Sequence, residues 1–185
     1  MRIDLGGFAK SHAVDNAVAI LAQLGIACAF VSAGGDSRVI GDRRGRPWTI
    51  GARHPRDAKT LVVLLPLIDT AVSTSGDYER FFEVGGVRHH HIIDPTTGRS
   101  PMAIHSVTIL ATDGLTAEAM SKSLLVLGIE QGMALIESQA DVDAIVVDAR
   151  GQLHYSTGLQ DPSGRQRTTG TRSLSSTAST SQGVY

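Results

Sequence analysis

Residues 89–98 read HHHIIDPTTG and set three imidazoles, a carboxylate and two hydroxyls side by side. Imidazole titrates near neutral pH, so such a run suits either acid–base chemistry or a metal cage. On a strand, His89 and His91 point to one face and His90 to the other, which argues against a zinc cage built from three neighbours. What remains is one histidine beside Asp94, a carboxylate near enough along the chain to tune a general base. A histidine satisfied within the fold explains the same letters.

Four further clusters carry chemistry of the same kind. DLGGFAKSHAVD, residues 4–15, puts two glycines between Asp4 and a helix start, where free N–H groups, the helix dipole and Lys10 favour a phosphate. A glycine-rich turn with Lys10 in solvent is the alternative, and the GxxxxGK[ST] spacing of a P-loop is absent. SAGGDSRVIG, residues 32–41, offers Gly34, Gly35 and Asp36 for close approach of a ligand, although ordinary turns use these letters too. STSGDYER, residues 73–80, sets hydroxyls, among them Ser75, and the open backbone of Gly76 where phosphate oxygens could be held near Arg80. There the alternative is an Asx-turn with Tyr78 in the core. In AEAMSKSLLVLG, residues 117–128, Glu118 and Lys122 are spaced i,i+4, ordinarily a surface ion pair.

These clusters need elements to hold them. Residues 9–24 place Ala13, Ala17, Ile20, Leu21 and Leu24 at helical spacing, with Gly25 as the stop. Residues 27–33 read as a buried strand leading into the Gly34-Gly35 turn. Further strands are expected at 48–52, 61–67, 70–75 and 106–111, with a hairpin of 80–84 and 87–93 around Gly85-Gly86. Helices are expected at 116–127, stopped by Gly128, and at 130–138, before a closing hairpin of 144–147 and 153–155. Strands and helices mix without regular alternation. This favours an α+β fold, a mixed, largely antiparallel sheet with packed helices, over a doubly wound one.

A chain of 185 residues, 42% of them hydrophobic, supports one globular domain. We place it at 1–160, with a disordered Ser/Thr-rich tail at 161–185 that is too poor in apolar residues to offset its ordering entropy. The net charge is −1, and Arg43-Arg44-Gly45-Arg46 is the one basic cluster, so no nucleic-acid or anionic-membrane partner is expected. Cys28 is the single cysteine, which excludes an internal disulfide, and its apolar neighbours suggest burial. No apolar leader follows Met1, so no export signal is expected in this chain.

In this order, and with PWTIGARHP at 47–55 and SVTILA at 106–111, the segments resemble the ApbE family of FAD:protein FMN transferases from residue 4 to about 157. STSGDYER and HIIDPTTG are the most specific pieces. The resemblance implies an ApbE-like fold and a transferase that uses FAD as substrate. The threonine hydroxyl of an acceptor protein attacks the FAD pyrophosphate, FMN stays attached and AMP leaves. It also implies His91 as the catalytic base, and Asp4, Lys10, Ile92 and Ile93 as flavin-nucleotide contacts beside the turns of Gly34, Gly35, Asp36, Ser75 and Gly76. A divalent ion, usually magnesium, is implied on the pyrophosphate, held in part by the Gly7 carbonyl and by the residue at Glu118.

Two departures stand out. The family helix reads Ala-Asp-Ala-Leu-x-Thr, and its Asp and Thr metal ligands are here Glu118 and Lys122. Glutamate can still ligate, but an ammonium has no lone pair, so Lys122 is expected in the cation's place. Family members also begin well before the Asp-Leu-Gly-Gly segment, and without that N-terminal part open edges and self-association are expected. A non-catalytic FAD-binding module and an FAD pyrophosphate hydrolase are the alternative functions. Family members are often exported or anchored on the periplasmic side, and this chain carries no residues that fix its location.

Overall fold

The computed structural model describes residues 5–160, so Asp4 and the expected tail at 161–185 lie outside the described residues. Helix α1 (Ala9–Gln23) is followed by β1 (Ala29–Ala33), β2 (Asp36–Ile40), β3 (Trp48–His54), β4 (Asp57–Leu67) and β5 (Ala71–Gly76). Then come β6 (Phe81–Val84), β7 (Val87–His90), β8 (Ile104–Ala111), α2 (Gly114–Glu137), β9 (Asp143–Asp148) and β10 (Leu153–Tyr155). Six strands form one sheet in the order β1-β2-β5-β8-β9-β10, and every neighbouring pair is antiparallel. The α+β expectation therefore holds. The β3–β4 arm and the β6–β7 hairpin are separate two-stranded units.

Strand alternation divides the core in two. Val107 and Ile109 of β8 and Ala144 and Val146 of β9 face α2, packing on Leu124, Leu125 and Ile136. Their neighbours Leu110 and Ile145 face the opposite way, onto Leu65 and Leu67 of the β3–β4 arm. On β5 the same period sends Ser73 and Ser75 toward Ser121 of α2, while Thr74 bonds Thr108 on the other face. The helix face of the sheet thus ends in a polar corner, under the start of α1 and the middle of the first half of α2.

Several expectations are corrected. On α1 the buried side chains are Ser11, Val14 and Val18, whereas Ile20 and Leu24 of the expected stripe are 56% and 72% exposed. The reason is phase: β1 and β2 meet the face carrying Val14 and Val18. Gly25 ends the helix as expected, at φ +78°. Residues 36–40 form a strand, because Gly34 and Gly35 (φ +56° and +96°) make a two-residue hairpin that pairs Asp36 with Ala33. Cys28 is exposed, since it precedes the edge strand β1. The strand expected over 87–93 stops at His90, whose N–H donates to Ser100 Oγ (3.0 Å) and whose carbonyl accepts from it (2.7 Å), which ends the ladder. Gly128 (φ +80°, ψ 176°) interrupts α2 as expected, and the second expected helical segment follows it.

Candidate functional site

The polar corner is built from four charged side chains. Lys10, in the first turn of α1, reaches the β1–β2 hairpin, where its Nζ donates to the Gly34 carbonyl (3.0 Å) and pairs with Asp36 Oδ2 (2.9 Å). Gly34 is required there twice over: its φ is +56°, and a Cβ would stand 2.9 Å from Lys10 Cδ. Asp36 is buried, and its other oxygen accepts from Ser73 Oγ at 2.6 Å.

Glu118 is fully buried in the first half of α2, not in a surface ion pair as its spacing suggested. Burying a carboxylate is costly without partners, and it has three. Oε2 accepts the Ser11 N–H (3.2 Å), while Oε1 is 2.9 Å from Lys122 Nζ and 3.9 Å from Lys10 Nζ. The i,i+4 geometry holds, but α1 closes over it. Lys122 lies along the Gly7 turn, 3.7 Å from its Cε to where a Gly7 Cβ would be.

Hydroxyls form the floor. Ser121 Oγ donates to the Glu118 carbonyl (3.0 Å), so at 2.8 Å it is Ser75 that donates to Ser121. Ser75, expected on the surface of a phosphate site, is instead turned beneath it. Gly76 is a packing glycine, because a Cβ would come within 2.3 Å of the Tyr78 ring. Gly35 and Ile93 are exposed, whereas Ile92 is buried in the core on the α2 side.

The three histidines diverge. His89 stacks on Phe82 (centroids 5.2 Å apart), and His90 is buried with Nε2 donating to the Pro101 carbonyl at 2.8 Å. His91 leaves the strand, and its Nδ1 lies 3.3 Å from the Arg80 carbonyl. A carbonyl only accepts, so the proton sits on Nδ1 and the Nε2 lone pair is available. Partial burial pushes the His91 imidazole below its ordinary value; the Arg80 hydrogen bond opposes this, and the charge of Lys122 is among those that add to it. His91 is therefore neutral at pH 7 and within electrostatic reach of the lysine site. Asp94 does not pair with it: its oxygens accept from Thr96 N (2.8 Å) and Thr97 Oγ1 (2.9 Å), closing the 94–99 turn.

Sequence reasoning missed three supports. Ser121 lies beneath Glu118 on the same helix, a small polar residue at i+3 that could have been noticed. Asp15 accepts from the Gly114 and Leu115 N–H groups (2.9 and 3.0 Å) and from Arg38 (2.8 Å), fixing the start of α2. Asp77 is gripped by Arg56 (2.6 and 2.5 Å), with His105 at 3.1 Å and Arg88 at 3.8 Å. Burial pushes the Asp77 carboxyl up, but the Arg56 hydrogen bond and charge outweigh it and hold it below the ordinary carboxylate range.

The donor set does not fit the divalent ion that the resemblance implies. Both Glu118 oxygens are engaged and an ammonium lies on one of them. Among the described residues no group of three or more His, Cys, Asp or Glu is arranged to hold a metal. The arrangement offers instead lysine ammonium groups beside glycine turns, with a neutral imidazole at the edge.

A sequence model of the ApbE family matches residues 1–146. The chain is 38% identical over 150 residues to a protein of Klebsiella pneumoniae named FAD:protein FMN transferase, covering 80% of this chain and 46% of that one. A protein of the same name from Vibrio cholerae is 39% identical over 165 residues, covering 86% and 49%. The crystal structure of the ApbE protein from Thermotoga maritima aligns at a TM-score of 0.79 and 39% identity, over 85% of this chain and 52% of that one. For the flavin transferase ApbE from Vibrio cholerae the values are 0.71 and 38%, over 84% and 50%. The chain thus spans about half the length of these relatives. With a family model matched over most of its length, and relatives alike in sequence and in fold, the chain belongs to the ApbE family.

Proposed function

We propose that the chain carries the phosphate-binding and proton-accepting part of an FAD:protein FMN transferase. The observation that carries this reading is the linked cluster of Lys10, Asp36, Glu118 and Lys122 at two glycine turns, with neutral His91 close enough to feel the charge of Lys122. The ammonium groups take the FAD pyrophosphate. The acceptor threonine Oγ attacks the phosphorus of the FMN half, the anhydride P–O bond breaks and AMP leaves with its electrons. The threonine proton passes to His91 Nε2. The relatives' names support the reaction class, and the acceptor is a protein of unassigned identity. Gly34 and Gly35 form the turn on which Lys10 rests, and Asp36 lies buried behind it. Magnesium has no place in this reading.

A flavin-nucleotide binding module without catalysis is the second reading, favoured by the Glu118–Lys122 pair where the family pattern has oxygen ligands. Because the chain spans half its relatives' length, the exposed apolar residues of α1 and the edge strand β1 are assigned to contact with further protein, either a second copy or the rest of a family-length domain. One incubation with FAD and a threonine-bearing acceptor peptide separates the readings. Covalent flavin fluorescence on the peptide is the expected result; free FMN with AMP means hydrolysis, and intact bound FAD means the binding module.

A further inference from the structure

Resting on the flavin-nucleotide reading, we infer that Lys122 is a built-in cation: the site holds a phosphoanhydride through lysine ammonium groups and takes up no divalent metal.

Glu118 is the anchor of the corner. It is fully buried, its Oε2 is held by the Ser11 N–H at 3.2 Å, and its Oε1 carries Lys122 Nζ at 2.9 Å with Lys10 Nζ at 3.9 Å. A divalent ion on Oε1 would stand within a few ångströms of two ammonium groups, where like charges repel strongly. Lys122 also runs along the Gly7 turn, its Cε and Cδ 3.7 and 3.8 Å from the Cβ position of Gly7.

Ser11 Oγ is a buried hydroxyl with no hydrogen bond among the described residues, but most other side-chain oxygens at the corner are already committed. Magnesium and manganese sites favour about six oxygen ligands in all. Here Asp36 is engaged by Lys10 and Ser73, and the Ser121 hydroxyl is turned down onto the Glu118 carbonyl. The cluster of two carboxylates and two ammonium groups is neutral at rest. Lys122 has donors to spare, because only one of its three N–H bonds has a partner among the described residues and its side chain is 29% exposed. Those N–H groups can donate to a phosphate oxygen at the corner.

The test uses Mn²⁺, read by electron paramagnetic resonance of the free ion, with the full chain. The wild type is expected to leave the free-ion signal undiminished, and the Glu118→Asp, Lys122→Thr double variant to bind one ion per chain. Lys122→Thr alone is expected to weaken FAD binding in EDTA about tenfold, the weight of one charge-assisted hydrogen bond. Lys122→Arg, which keeps the ion pair and the fold, is expected to exclude Mn²⁺ as the wild type does. Uptake of one Mn²⁺ per wild-type chain, abolished in Glu118→Gln, overturns the inference. If neither the wild type nor any variant binds FAD but the wild type still excludes Mn²⁺, the flavin reading falls and the metal-free site stands.

Discussion

At the scale of single residues, the site depends on groups whose surroundings fix their protonation and partners. His91 is desolvated enough to stay neutral, with its proton turned to the Arg80 carbonyl and Nε2 open. The base form is present above its pKa and lost as pH falls through it. The acid limb of a kcat/KM profile is therefore expected to have its midpoint below 6.5. His91→Gln is expected to lower kcat by roughly 10²–10⁴-fold while FAD remains bound, as measured by single-turnover AMP release. Glu118 is a stability residue as well as a binding one. Glu118→Gln removes the charge that neutralises Lys122, and thermal or urea unfolding is expected to show a loss of about 3 kcal/mol.

At the scale of elements, two carboxylates hold the pieces in register. Asp15 of α1 caps the start of α2 and pairs with Arg38 of β2, so Asp15→Ala is expected to cost roughly 2 kcal/mol in a denaturant titration. Asp77, at the end of β5, ties down the tip of the β3–β4 arm through Arg56 and the β6–β7 hairpin through Arg88. Its folded-state pKa is lowered, so its contribution is present above the ordinary 3.8 and is lost as pH falls through the lower folded value. Asp77→Asn is expected to flatten that acid limb of the stability profile. The elements were largely readable because their signals are local: Gly25 and Gly128 sit at the helix break-points, and Val107 to Ala111 is apolar but for Thr108. The buried face of α1 was not readable. Val14 and Val18 differ from Ile20 and Leu24 only in which neighbour covers them, and that neighbour is a strand the turn glycines concealed. Lys10, Glu118 and Lys122 stood out by type and spacing. Asp15 and Asp77 did not, because Gly114 and His105 lie far along the chain from them.

At the scale of the whole molecule, the sheet is covered by helices on one face and by the β3–β4 arm on the other, and the charged corner lies where α1 crosses α2. Beyond that corner apolar surface is open: Ile20 and Leu24 on α1 and Phe30 on edge strand β1 are exposed, as are Phe81 and Phe82 on the hairpin. Such surface favours association. Sedimentation velocity is expected to show concentration-dependent self-association that Ile20→Lys with Leu24→Glu reduces; a monomer at every concentration would speak against it.

The proposed function rests on the lysine corner being a flavin-nucleotide phosphate site. Titration of FAD onto the full chain in EDTA, followed by flavin fluorescence, tests it most directly. We predict saturable binding of one FAD per chain, weakened about tenfold or more by Lys10→Met and unchanged by Arg43→Ala in the distant β2–β3 turn. Binding that ignores Lys10→Met, or no binding at all, would contradict it.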